Sequence, residues 1–409
     1  MVTFSTLTAF FNYLYQLSMG ILLGPEHFGI LYSLNTMLVL ISVFPQAIII
    51  TVAKFTSKLK AEGKLDGVNY LWRFSLQRAF IIGIAAFALL AGLSPLFSWF
   101  LNMDTNLYPI IVFSGVLIIC PLAVNYGTMQ GLQRFLPLGL SQALVGFLKV
   151  TIGSILVYLG MGIYGGLASI PISFAVVLLV AFFFLRDFRQ CRSEAVPFSG
   201  VGSYTIFALL ALFSITMLSN VDVVLVKHYL SAAEAGNYSA ISVLGKIAYY
   251  APLGVAVAMF PKSSEAFEKG RDYRRLFLKA MFLTLAIAGS VVLVYGLFPQ
   301  FITQLLFGDK YPLAAPNLFL YGLAMALLAF CLLLMNYFLS LNQTKVAYPL
   351  LGAMLLQIVL IVFFHSSIAQ VVTIMLISGI SAVILVLPFF LKVRGLQGPL
   401  LRTGERLSF

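Results

Sequence analysis

SNVDVVLVKHYLSAAEAG, residues Ser219 to Gly236, sets Asp222 and Lys227 inside a hydrophobic run and closes that run with a glycine. An ionisable side chain within a membrane span costs about 2.5–3.5 kcal/mol on insertion scales, so such a stretch is a functional candidate in any chain that lies in lipid. The surrounding composition says that this one does. Of the 409 residues, 61% are hydrophobic and 9% charged, and the mean hydropathy is +1.03. Soluble domains carry about 25% charged residues. A chain this apolar has too few polar side chains to cover itself in water.

Outward from this stretch, the sequence divides into twelve apolar runs, each near the ~20 residues a helix needs to cross the hydrocarbon core. They are Val2 to Leu23, Gly29 to Val52, Ala79 to Phe100, Pro109 to Gln130, Pro137 to Leu159, Gly165 to Leu185, Tyr204 to Tyr229, Asn237 to Phe260, Leu276 to Phe298, Ala314 to Leu341, Val346 to Phe364 and Ala369 to Leu391. The fold class expected is therefore all-α, a polytopic membrane protein of twelve transmembrane helices. With the N-terminus in the cytoplasm, 21 of the 25 basic residues fall on inner connections and only Lys310 on an outer one. This is the positive-inside pattern. It places both termini in the cytoplasm of a cell (plasma or inner) membrane protein, and it accounts for the net charge of +12 without a nucleic-acid partner.

Three cysteines, two of them in apolar runs, make no disulfide framework, and no His/Cys cluster suggests a metal. The first 24 residues carry neither a basic leader nor a small-residue cleavage site, so the first run is expected to stay as a helix. The outer connections are too short to fold into a domain. A membrane-embedded glycosyltransferase or acyltransferase would need paired acids, a His-based site or a substantial outer loop, so an enzyme is the less favoured reading and no cofactor is expected.

The two halves of the chain repeat. A shift of 207 residues pairs Gly29 with Gly236, Pro45 with Pro252 and Gly63 with Gly270; a shift of 211 pairs Asn125-Tyr126 with Asn336-Tyr337 and Arg134 with Lys345. Six spans per half is an even number, so the repeats are parallel, an arrangement that in transporters puts substrate between two lobes near the midplane. The expected organisation is an N-terminal lobe over 1–185, a basic cytoplasmic linker over 186–203, a C-terminal lobe over 204–391 and a basic tail over 392–409. Pro45 and Pro252 recur in both halves and are hinge candidates, because a proline frees a backbone carbonyl and permits bending.

NYLYQLSMGILLGPEHFGILYSL (Asn12 to Leu34), NYGTMQGLQRF (Asn125 to Phe135) and NVDVVLVKHYLSAAEAGNYSA (Asn220 to Ala240) together resemble the polysaccharide-biosynthesis flippases of the multidrug/oligosaccharidyl-lipid/polysaccharide (MOP) superfamily. The resemblance spans nearly the whole chain and rests on spacing around glycines and aromatics. It implies two six-helix lobes facing each other in a V, as in the MATE transporters of that superfamily. It also implies alternating-access movement of a lipid-linked oligosaccharide to the outer leaflet, by a protein acting as a monomer in contact with membrane lipid.

A flippase breaks no bond, so there are no catalytic residues to find and the question becomes which polar groups line a cavity. Polar positions recur at helical spacing along the first helix (Ser5, Thr8, Asn12, Gln16), the second (Asn35, Ser42, Gln46), the fifth (Gln142, Lys149) and the eighth (Ser239, Ser242, Lys246, Tyr249). For the uncharged stripes the competing reading is helix–helix hydrogen bonding. Lys149 lies about 18 Å along its helix from the inner end and Lys246 about 14 Å from the outer end of its own, beyond easy reach of headgroups. Lys227 lies only a few residues from an outer end, where snorkelling is the ordinary explanation and the cavity the alternative.

Asp222, about 12 Å below the outer end, is the one acid among three intramembrane lysines. It is a candidate for a coupling H+ or Na+, with a structural ion pair as the alternative. Three lysines against one aspartate make the interior cationic, which suits a pyrophosphate linker better than a cationic drug. A cation-coupled multidrug exporter of the same superfamily remains the alternative function.

Overall fold

The computed structural model describes residues 2–187, 203–269 and 273–389. Most of the basic linker, the tail 392–409, Cys191 and Gly270 lie outside the described residues. Within them the chain is helical and holds no strand. The first half comprises α1 (Val2–Ile41), α2 (Val43–Ala61), α3 (Leu65–Gly92), α4 (Ser94–Phe100), α5 (Leu107–Gly131), α6 (Phe135–Leu156), a π-helical turn (Val157–Met161) and α7 (Gly162–Phe184). The second comprises α8 (Ser203–Leu218), α9 (Val221–Tyr229), α10 (Ala232–Tyr250), α11 (Leu253–Glu268), α12 (Tyr273–Leu297), α13 (Pro299–Phe307), α14 (Ala314–Ser340), α15 (Ala347–Phe363) and α16 (Ile368–Val386).

Nine helices among the described residues are long and apolar enough to cross a membrane, and ten if the bent pair α8 and α9 counts as one span. Two of the nine are far too long for a single pass. Thr6–Ala61 has 56 residues and Phe135–Phe184 has 50, roughly 84 and 75 Å of helix against a ~30 Å core. Each is broken where the backbone turns left-handed at glycine. Gly24 sits at φ 71, ψ 174 just before Pro25, and Gly160 at φ 89; only glycine holds such angles without strain.

Several runs that hydropathy reads as continuous helices are interrupted. The second breaks at Ser42, the third at Leu93, the seventh at Ser219-Asn220 and the eighth at Ala251-Pro252. Pro45 and Pro252 thus sit at the starts of α2 and α11 rather than deep inside a helix, positions where the missing N–H does no harm. At Ser42 the hydroxyl turns back to the Val39 carbonyl at 2.6 Å.

The described chain forms two compact units. The first takes in residues 2–187 with Val223–Val243 and Gln300–Pro316. Here α5 is central, packed by α2, α3 and α7, and α6 lies against α1 and α7. Close approach is made by glycines rather than by large interlocking side chains, as is usual between membrane helices. Gly139, Gly146 and Gly153 form a rib at seven-residue spacing on α6, where an added Cβ would lie 2.6 Å from Phe4, 2.8 Å from Phe11 and 3.2 Å from the Tyr15 ring. In the same unit α1 crosses α10 where Gly29 meets Gly236: a Cβ on Gly29 would be 3.0 Å from the Gly236 nitrogen.

The second unit takes in Ser203–Asp222, Leu244–Pro299 and residues from 317 onward. In it α15 packs on α8 and α16, and α11 on α12. Tyrosine rings pack against glycines across three helices. A Cβ at Gly245 would be 2.2 Å from the Tyr321 ring, and one at Gly322 2.8 Å from the Tyr295 ring, whose hydroxyl donates to the Leu244 carbonyl at 2.6 Å.

Candidate functional site

Each unit holds its own buried polar cluster. In the second unit the cluster forms around the break between α8 and α9, which bend by 42°. A broken helix in lipid exposes backbone groups that must be satisfied. Gln357 of α15 does this, donating Nε2 to the Leu218 carbonyl at 3.1 Å. Asn220, in the break itself, donates Nδ2 to the Thr216 carbonyl at 2.8 Å and accepts from Lys246 Nζ at 2.9 Å. Asp222, at the start of α9, accepts from the Tyr321 hydroxyl at 2.8 Å, and its charge acts on Lys246. Tyr249 faces Ser219 from the same helix as Lys246. This cation is therefore compensated within its own unit, by an amide oxygen and a carboxylate.

Lys149 of α6, in the first unit, is held differently. Its ammonium stands 4.8 Å over the centre of the Tyr15 ring, and among the described residues it has no hydrogen-bond acceptor and no carboxylate partner. Tyr15 is locked in place by donating to the Gly166 carbonyl at 2.9 Å, and Ser169 donates to that same carbonyl at 2.6 Å. Gly153 leaves room for this tyrosine. A cation–π contact stabilises by about 0.5–2 kcal/mol, less than the ~2.5–3.5 kcal/mol cost of a lysine within a span. The site has a surplus of positive charge that its own residues do not neutralise.

The lysines are 6% (Lys149), 5% (Lys246) and 3% (Lys227) exposed and Asp222 is 0% exposed, so all four are buried. Lys227, near the end of α9, is covered as closely as the two deeper lysines. The charges of Asp104 and Glu26 act on it, and the neighbouring His228 stacks on Phe100 at 4.1 Å. Of the uncharged candidates, Gln16 has a buried Oε1 with no hydrogen-bond partner among the described residues, whereas Asn12 turns its amide back to the Thr8 carbonyl. Gln46 is exposed and joins neither cluster, and Tyr249 is buried. Sequence reasoning missed Tyr321 and Gln357 altogether. It quoted Asn220 without using it, although a Ser-Asn pair is helix-stopping chemistry and was the available signal.

The Tyr321 contact makes a sharp prediction. Tyr321→Phe should lower stability in detergent by about 1.5–3 kcal/mol, the usual loss for a hydrogen bond to a charged group. Gly245→Ala, which pushes the same ring aside, should cost about 1–3 kcal/mol. The double variant should fall short of the sum, since both act on one contact. Full additivity in thermal melts would contradict the arrangement.

Bundled apolar helices, glycine-lined crossings and ionisable groups buried in the spans define the chain as a multi-pass membrane protein, and its fold is that of the MOP-superfamily transporters. A structure described as the inward-facing conformation of a multidrug resistance MATE family transporter of that superfamily matches with TM-score 0.80 at 16% identity, covering 96% of each chain. A MOP superfamily transporter from Pyrococcus furiosus, whose description notes a binding pocket of reverse polarity, matches at 0.69 and 16% identity over 96% of this chain and 94% of that one. A MATE structure in a bent conformation matches at 0.66 and 18% over 96% and 93%. A comparison with curated proteins gave no match. The model of the polysaccharide biosynthesis protein family matches residues 18–316; the chain belongs to that family.

Proposed function

We propose that the protein flips lipid-linked oligosaccharides, carried on a pyrophosphate, from the inner to the outer leaflet of the cell membrane for polysaccharide assembly. The observation that carries this reading is Lys149, a buried cation fixed on Tyr15 with no counter-ion among the described residues. An anionic linker entering from water would supply the missing charge, and the surplus would draw it in. Lys227 and Gln16 add a second cation and an unfilled acceptor in the same unit. The lipid tail stays in the bilayer. Reading the 56- and 50-residue stretches as two passes each, and the bent pair as one, brings the count to twelve in lobes 1–185 and 204–391, with both termini cytoplasmic. Pro45 and Pro252 serve as hinges, and Asp222 takes up a coupling H+ or Na+. The protein works as a monomer.

Purified protein should be stabilised by a lipid pyrophosphate carrying a short oligosaccharide and not by a neutral glycolipid with the same sugars. The competing reading, cation-coupled drug export, has one observation in its favour, the buried Asp222. Resistance of expressing cells to cationic drugs, together with no stabilisation by any lipid pyrophosphate, would move the assignment there.

A further inference from the structure

One end of the first unit is tied by contacts that neither polar cluster uses. The missing N–H of Pro25 leaves the Ile21 carbonyl without its helical donor. Residues 289 and 291 positions away bond here: Lys310 Nζ donates to Ile21 O at 2.9 Å and Tyr311 Oη to Gly20 O at 2.7 Å. A cation at that point also suits the negative end of the helix dipole. Asn102, held at φ 49, donates Nδ2 to the carbonyl of His228 at 2.8 Å. Beside these ties lies the Gly29–Gly236 crossing, so tight that a Cβ on Gly236 would be 2.0 Å from the Pro25 oxygen. Phe28, Phe307 and Tyr311, all buried, fill the adjoining space with rings 5.1–6.1 Å apart.

We infer that these contacts form a gate closing the Gly24 end of the first unit, with Asn102, Lys310 and Tyr311 as its latch, and that it parts during transport; this rests on reading the protein as a transporter. Every tie joins the first half of the chain to a segment between His228 and Tyr311. The three latch bonds end on carbonyls at helix ends, which water takes over when the contact opens. A bond inside a helix in lipid has no such replacement. The crossing is backbone against backbone, so the helices separate without unlocking side chains. The aromatic trio supplies the seal. Just inward lies Tyr32 Oη, 3.2 Å from Ser242 Oγ, a polar pair that water meets once the crossing opens.

The test reads the contact itself and needs no substrate, so it stands or falls apart from the choice of cargo. In the full chain in lipid, with Cys120, Cys191 and Cys331 replaced by alanine, Ser242→Cys is the reporter for a membrane-impermeant maleimide added from the Gly24 side. Asn102→Ala with Tyr311→Phe removes two of the latch bonds and should raise its labelling rate at least about fivefold, the shift that losing even one net hydrogen bond would give. Tyr311→Phe alone, the milder change, should raise it in the same direction. Gly236→Ala, whose Cβ would lie 2.0 Å from the Pro25 oxygen, wedges the same crossing apart and should raise labelling as well. Labelling unchanged by the latch variants, or unchanged with the crossing wedged, would make this static packing and overturn the proposal.

Discussion

With Lys149 replaced by methionine, translocation of a pyrophosphate-linked glycolipid is expected to fall at least about tenfold, equivalent to ~1.4 kcal/mol of lost interaction, while the folded protein is as stable as before or more so. Both parts follow from one geometry. The ammonium is buried over Tyr15 without a carboxylate, so removing it deletes a desolvation cost and leaves no orphaned partner. A residue kept for stability would behave in the opposite way. Lys246 supplies the contrast. It bonds Asn220 and shares its surroundings with Asp222, and breaking a buried charge pair costs about 3–5 kcal/mol. Lys246→Met should therefore melt early. Measuring transport per folded molecule alongside melting temperature separates the two lysines. Equal destabilisation by both substitutions would show that Lys149 has a structural partner after all.

The second large effect is expected at Gly236. Its Cβ would lie 2.0 Å from the Pro25 oxygen, a backbone atom that cannot rotate away. Gly236→Ala should cost the closed crossing about 1–3 kcal/mol or more, seen as a lower melting temperature of the purified protein. Gly29→Ala should be milder, since its nearest neighbour is 3.0 Å away. Gly254 of α11 is the control: nothing lies within 4 Å of its Cβ position, and alanine there should stabilise the helix by up to ~1 kcal/mol. A Gly236→Ala protein that melts with its parent would contradict the crossing.

Much of this architecture was legible before any coordinates. Long apolar runs and their basic connections report a polytopic helical protein because lipid imposes both. Hydropathy could not report the breaks at Ser42, Ser219-Asn220 and Ala251-Pro252, since an interrupted span is as apolar as a straight one. Gly29 and Gly236 were paired by register alone, and the structure sets them in physical contact. That is a stronger relation than sequence similarity implies.

The polar clusters were legible only in their charged members, because a lysine or aspartate in lipid is costly enough to stand out. Tyr321 and Gln357 reach Asp222 and Leu218 from helices 99 and 139 residues away, and their own segments carry no mark of it. Lys227 was legible as a charge but not in its surroundings. Distance from a helix end suggests snorkelling, but whether the side chain reaches water depends on what packs over it.

The central claim, that an uncompensated cation in the first unit receives an anionic lipid-linked sugar, is tested most directly by leaflet-to-leaflet movement in proteoliposomes. A labelled lipid-pyrophosphate oligosaccharide and its neutral glycolipid counterpart would be followed side by side, with wild-type protein and Lys149→Met, under H+ and Na+ gradients. The account predicts movement of the charged lipid by the wild type alone and no movement of the neutral one by either. Equal movement of both lipids, or undiminished movement of the charged lipid by Lys149→Met, would contradict it.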